Sequence, residues 1–189
     1  MEDEDVRVVL DETREAMEKS VQSFRKELQR VRTGRASTSL LDGILVEYFG
    51  SPTPLNQLAN LTTPDPRLIV ISPYDKSALA AIEKAILASD LGLTPNNDGS
   101  VVRIAIPPLT EERRKDLVKQ VRKMAEEHKV GVREGRRDAI SMLKDLESEG
   151  GLGKDDRHRA EKSVQDLTDA FIAQVDQLTA EKEKEVLEV

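Results

Sequence analysis

Six cations fall along one line of a proline-free stretch of forty residues, Thr110 to Glu149. Lys115, Lys119, Arg122, Lys129, Arg133 and Arg136 follow one another at steps of three, four or seven, and only Glu126 interrupts them. Arg113, Arg114, Lys123 and Arg137 flank the row. Cations at this spacing share one face of a helix. The chemistry such a row offers is binding of an anion, phosphate above all, because a guanidinium donates two parallel hydrogen bonds to one phosphate. Two readings fit the helix taken alone. A mixed charged face is also an ordinary solvated face, and Glu111, Glu112, Asp116, Glu126, Glu127 and Glu134 offer intrahelical pairing. One sign along one line, in a chain of net charge -7, favours the anionic partner.

Other chemistry finds no footing. His128 sits on the apolar stripe of the same helix and reads as a packed residue; His158 reads as a surface residue. No Gly-x-x-x-x-Gly-Lys-Ser/Thr loop, Gly-x-Gly-x-x-Gly turn or Gly-x-Ser-x-Gly elbow occurs. Asp155-Asp156 has a helix-dipole reason to open a helix. The absence of cysteine excludes disulfides, thiol catalysis and cysteine zinc sites, and it fits a reducing cytoplasm. These observations predict a protein that is not an enzyme, with no cofactor and no metal. No apolar run reaches the ~20 residues of a membrane span, so no membrane partner is expected. Met-Glu-Asp-Glu-Asp begins neither a secretory signal nor an Arg-rich transit peptide. Aromatic content of 3% without Trp limits base stacking.

The elements that position the cations follow from periodicity. Leu117, Val121, Met124, His128, Val132, Gly135, Ala139, Met142 and Leu146 form the apolar stripe of the long helix. The cationic series precedes it by two residues, so at ~100° per residue it should face roughly 200° away, outward. Forty residues make a rod of ~60 Å, which needs partner helices of similar length. Gly131 and Gly135 should loosen it, at ~1 kcal/mol each relative to Ala. A first helix over about Asp5–Val31 repeats Leu10, Met17, Phe24 and Val31 at steps of seven. A last helix over about Asp155–Val186 carries Ala160, Val164, Leu167, Phe171, Val175 and Leu178. Arg30, Arg32 and Arg35 close the first helix, where they suit its negative dipole end and equally suit an anionic ligand.

Between these helices the pattern changes. Ile44–Tyr48, Leu68–Ser72 and Val101–Ile106 read as strands, Ser51–Pro54 as a turn or edge strand, Asp75–Ser89 as a helix and Asn96-Asn97-Asp98-Gly99 as a turn. The expected fold is α+β: an elongated three-helix bundle from residues 1–33 and 107–189, with a small α/β domain, 34–106, inserted. Two adjacent connections, at Thr33-Gly34 and Pro107-Pro108, should act as a hinge of limited freedom.

Several blocks stand out: Val31-Arg32-Thr33-Gly34-Arg35-Ala36-Ser37, Leu40-Leu41-Asp42-Gly43-Ile44, Val46-Glu47-Tyr48-Phe49-Gly50, Thr53-Pro54-Leu55, Ala88-Ser89-Asp90-Leu91-Gly92-Leu93 and Pro107-Pro108-Leu109-Thr110-Glu111-Glu112-Arg113-Arg114-Lys115, with Arg133 and Arg136-Arg137-Asp138 beyond. Together they resemble the ribosome recycling factors. The resemblance spans nearly the whole chain. It implies an L-shaped monomer of transfer-RNA dimensions whose short arm is β-sandwich-like. It implies a cytoplasmic translation factor that binds the post-termination ribosome and contacts 23S ribosomal RNA of the large subunit. With elongation factor G and GTP, such a factor splits the subunits and frees tRNA and mRNA, and initiation factor three keeps the subunits apart. The inserted domain would face elongation factor G. Arg136 aligns with the family's main RNA-contacting arginine, and Arg133 lies one turn away. Arg32, Arg35, Arg122, Lys129, Arg113, Arg114 and Arg137 complete the implied RNA surface. Two rivals are a non-ribosomal helical adaptor and an enzyme with an unrecognised site.

Overall fold

The computed structural model describes residues 4–188, and the chain divides into two compact units. One comprises the chain up to Arg32 together with Glu111–Glu188; the other is Thr33–Thr110.

The first unit is a bundle of three helices, α1 (Glu4–Arg30), α4 (Glu111–Ser148) and α5 (Lys154–Leu187). At 38 residues, α4 is about 57 Å long. Its first turn carries Glu111 and Glu112, where the dipole favours acids. The bundle buries two apolar clusters. Met17, Val21, Phe24 and Leu28 of α1 pack with Val121, Ala125 and Val132 of α4 and with Phe171 and Val175 of α5. Nearer the α4–α5 turn, Val6 and Val9 pack with Ala139, Leu143, Ala160 and Val164. The seven-residue repeat of α1 therefore becomes core at Met17 and Phe24, with Leu10 and Val31 partly buried against the same clusters.

The expected stripe of α4 needs two corrections. Met142 is exposed, and Leu143, one residue on, is fully buried against α5. Ala125 is likewise buried where Met124 is only partly so. A helix touching two neighbours buries a broader arc than one line of residues, and here the arc extends toward α5. Gly131 and Gly135 do more than loosen the helix. A Cβ on Gly131 would lie 2.9 Å from Ser20 Oγ, and one on Gly135 would lie 3.4 Å from Met17 Cγ. The two glycines let α1 approach closely.

The second unit contains β1 (Leu45–Tyr48), β2 (Ser51–Pro54), α2 (Leu55–Leu58), β3 (Ala59–Asp65), β4 (Leu68–Pro73), α3 (Leu79–Ala88), β5 (Pro95–Asn97) and β6 (Val102–Ala105). An antiparallel sheet has the order β3-β4-β6-β5, and β1-β2 is a separate hairpin. Val46, Ile69, Ile71, Val102 and Ile104 alternate inward from the strands onto Ile82 and Ile86 of α3. The expected helix Asp75–Ser89 is a 3-10 turn, Lys76–Ala78, followed by α3; the Asp75 carboxylate accepts from Ser77 N–H at its start. The expected turn Asn96-Asn97-Asp98-Gly99 is corrected at its start, where Asn96 and Asn97 pair with β6 as part of β5. Strand β3 is absent from the sequence expectation. Its residues Thr62-Thr63-Pro64 show no apolar alternation, and it lies at a sheet edge, where proline is tolerated.

Both connections of this unit are tied to one hairpin turn. Ala36 N–H donates to Pro66 O at 2.7 Å, and Ile106 N–H donates to Arg67 O at 2.8 Å. Gly34 has φ +76° and a Cβ there would meet Leu109 Cγ at 2.9 Å, so glycine is required twice over.

Candidate nucleic-acid interface

The cationic row of α4 divides in two. Arg122, Lys129 and Arg136 stand seven residues apart, on the edge of the helix that meets α5. Arg122 forms a two-pronged pair with Glu183, Nε to Oε1 at 2.6 Å and Nη2 to Oε2 at 3.2 Å. Lys129 reaches Asp176 at 2.5 Å and Glu126 at 3.2 Å, and its side chain is only 14% exposed. Arg136 Nη1 donates to Gln165 Oε1 at 3.0 Å, and Gln165 Nε2 donates in turn to Asp169 Oδ1 at 2.8 Å. Glu183, Asp176 and Asp169 also stand seven apart. Each step up α4 is matched by a step down α5, the pattern that fixes register between antiparallel coiled helices. Hydrogen bonding to Asp176 raises the Lys129 pKa above its ordinary value, against the opposing effect of burial. The outward orientation expected of Lys129 and Arg136 is therefore corrected: both are half-buried along the α4–α5 seam.

The other cations do face solvent. Lys119, Lys123 and Arg133 are exposed and have no hydrogen-bond or ion-pair partner among the described residues. Lys115 is exposed and pairs back to Glu111, one turn away, at 2.9 Å. Arg137 is exposed, 4.0 Å from Glu134. With ~100° per residue, these five lie within roughly 80° of one another around the helix, a continuous open row. Arg136 borders both sets. Gln165 holds one end of its guanidinium and its Nε is buried without a partner, while Nη2 has no partner among the described residues.

A further group lies where α1 ends and α4 begins. Arg30, Arg32 and Arg113 line a shallow cleft of about 430 Å³ floored by Val31, Leu117 and Met124. Arg32 and Arg113 are both exposed. Arg114 is half-buried, with its Nε enclosed and unpartnered. Arg35 belongs to the other unit, where it is exposed. Of the expected hinge residues, Thr33 and Gly34 are buried, and Pro107 and Pro108 are exposed. His128 packs on Phe24, ring centroids 5.2 Å apart, with Nε2 3.2 Å from Glu27. Among the described residues no helix is long and apolar enough to cross a membrane, and no cluster of His, Asp and Glu could hold a metal.

Gln165, Asp169, Asp176 and Glu183 escaped the sequence reading. The signal was present, an acidic series at seven-residue spacing on a helix antiparallel to α4.

The fold defines a class of chain: a three-helix bundle interrupted by a small sheet unit, with arginine and lysine gathered on the longest helix. Known proteins match the chain over nearly its whole length. The family model of the ribosome recycling factor matches residues 24–187. The ribosome-recycling factor of Geobacillus kaustophilus is 55% identical over 181 residues, 96% of this chain and 98% of its own. That of Bacillus subtilis is 54% identical with the same coverage. A solution structure of a ribosome recycling factor aligns at TM-score 0.76 and 41% identity, over 98% of this chain and 99% of the other. A second structure has TM-score 0.63 and 50% identity over 96% of this chain and 98% of its own. It models the T. thermophilus recycling factor and E. coli elongation factor G bound to the E. coli post-termination complex. The chain belongs to the ribosome recycling factor family.

Proposed function

We propose that the protein is a cytoplasmic translation factor that binds the post-termination ribosome and, with elongation factor G and GTP, separates the subunits and frees tRNA and mRNA. It works by binding and motion, as a monomer, and hydrolyses nothing itself. Initiation factor three would act after it, holding the subunits apart. The bundle is the RNA-binding arm, resting on 23S ribosomal RNA of the large subunit. The observation that carries this reading is the open cationic row on α4 in a chain that matches recycling factors along nearly its whole length. Arg136 and Arg133 are the first anchors, supported by Arg137 and the Arg32–Arg113 cleft. Arg35 and Arg114 extend the contact. Arg122 and Lys129 contribute through the seam, by holding α4 in register.

The hinge reading rests on Thr33-Gly34 and Pro107-Pro108. Because Ala36 and Ile106 are bonded to the Pro66–Arg67 turn, bending would concentrate between those bonds and the helix ends. A crosslink locking the two connections should leave ribosome binding intact and abolish splitting. Undiminished splitting by the locked protein would remove motion from the mechanism.

The test of the binding reading is co-sedimentation with vacant ribosomes at low and high salt. Wild type should bind at low salt and release steeply as salt rises, since phosphate contacts displace counterions. Arg136→Glu should bind weakly at every salt. Failure of wild type to bind at low salt would overturn the proposed function.

A further inference from the structure

Three cations of α4 meet α5 along the seam, and the third is met differently. Arg122 and Lys129 bond directly to carboxylates, those of Glu183 and Asp176. By the same seven-residue repeat, the carboxylate due opposite Arg136 is Asp169. A neutral amide stands between them instead. Arg136 Nη1 donates to Gln165 Oε1 at 3.0 Å, and Gln165 Nε2 donates to Asp169 Oδ1 at 2.8 Å.

The interposed amide changes what Arg136 can offer. A carboxylate only accepts hydrogen bonds, so Asp169 takes the Gln165 amide nitrogen and turns the amide oxygen toward Arg136. That oxygen holds Nη1 as a dipole and does not cancel the charge of the guanidinium. Nε is enclosed and unpartnered, and Nη2 has no partner among the described residues. Its neighbours on α4 each lack one half of this arrangement. Arg122 is fixed in direction, but Glu183 matches its charge. Arg133 keeps its charge, but no hydrogen bond or ion pair among the described residues fixes it. Arg136 has both an uncancelled charge and a set direction, which together strengthen a phosphate contact and lower the cost of ordering it. The amide–carboxylate pair is ordinary on α5 by itself. Gln177 Nε2 donates to Glu181 Oε1 at 3.0 Å in the same way, and no cation of α4 takes the Gln177 carbonyl among the described residues.

We infer that Gln165 is a positioning residue for ribosome binding: anchored by Asp169, it aims the Arg136 guanidinium at an RNA phosphate while leaving its charge uncancelled.

This inference rests on the recycling reading, and the experiment separates the two. Full-length protein and its variants are sedimented with vacant ribosomes across a salt series, and each is melted alone. Gln165→Glu converts the amide contact into a direct ion pair. It should melt within about 2 °C of wild type. It should lose about tenfold in affinity and shallow the slope of log affinity against log salt by about one, as Arg136→Gln does. In an Arg136→Gln background the same change should cost less than about twofold, because the two residues act as one unit. Gln177→Glu adds the same charge to α5 about 18 Å away, beyond the screening length, and should bind within about twofold of wild type.

Asp169→Ala separates position from charge. If charge alone counted, removing a carboxylate near the phosphate would tighten binding. With the amide released from its anchor, affinity should instead fall by about threefold. Equal or tighter binding by Asp169→Ala, unchanged binding by Gln165→Glu, or the same loss from Gln165→Glu with and without Arg136 would overturn the inference and leave the recycling reading intact. Wild type that fails to bind ribosomes at low salt would bring down both.

Discussion

Arg122, Lys129 and Arg136 stand on one edge of α4; Lys115, Lys119, Lys123, Arg133 and Arg137 stand on the next. The two sets differ by well under a quarter turn at their border, yet their surroundings are opposite. The seam set is answered by Glu183, Asp176 and the Gln165–Asp169 pair. The open set has solvent before it and at most a neighbour on its own helix. Residue type therefore does not assign a role. A lysine already bonded to two carboxylates would have to break those bonds to meet a phosphate, whereas Arg133 has only water to release. In the proposed reading, the register of the bundle and its attraction for RNA draw on the same residue types on adjacent lines.

The largest effect should come from reversing the open set. Arg133→Glu with Arg137→Glu should lower ribosome affinity by about a hundredfold or more at low salt, measured by sedimentation. Melting should shift by no more than the ~0.5 kcal/mol typical of surface changes. Equal loss of stability and affinity would dissolve the distinction between the sets.

Reversal within the seam should do the opposite. Lys129→Glu places a third carboxylate beside Asp176 and Glu126 and should cost roughly 1–3 kcal/mol. In a chain of this length that lowers Tm by about 2–4 °C per kcal/mol. The charge swap Lys129→Glu with Asp176→Lys should recover much of the loss. No recovery would mean that the pair is incidental to the packing.

The third face of α4, toward α1, sharpens the contrast at its two glycines, which leave α1 side chains in contact with the bare helix backbone. Gly135→Ala should stabilise by about 0.5–1 kcal/mol, since its Cβ would meet Met17 at ordinary contact distance. Gly131→Ala should gain less, because Ser20 Oγ must turn away first. Chemical denaturation of the two variants would order them.

A smaller effect lies in alkaline pH. The Lys129 pKa is raised in the fold by its bond to Asp176. A group with a raised folded pKa contributes stability that is fully present below its unfolded value, ~10.4, and is lost as pH rises through the higher folded value. Wild type should therefore lose stability over that window, and Lys129→Gln should lose less.

Much of this was legible in the sequence. The long helices follow from three/four spacing, and the proline-rich segment between them marked the insertion. Strand β3 was not legible because an edge strand needs only one partner, β4, and Thr62-Thr63-Pro64 has no buried face to declare itself. Leu143 lies off the single apolar line of the sequence because α4 packs against both α1 and α5. The division of the cations was hidden for the same reason. An angle counted from one apolar line cannot tell which polar edge a second neighbour covers. The heptad of Asp169, Asp176 and Glu183 was the available clue, and it becomes readable only when α5 is laid antiparallel against α4.

The measurement that bears most directly on the account is the salt dependence of ribosome binding for Arg133→Gln and Lys129→Gln side by side. If the open row and the free end of Arg136 meet phosphate and the seam pairs of Arg122 and Lys129 do not, Arg133→Gln should shallow the slope of log affinity against log salt by about one. Lys129→Gln should keep the wild-type slope and melt at a lower temperature. An unchanged slope for Arg133→Gln, or the same loss of slope in both variants, would contradict the division of α4 into a binding row and a seam.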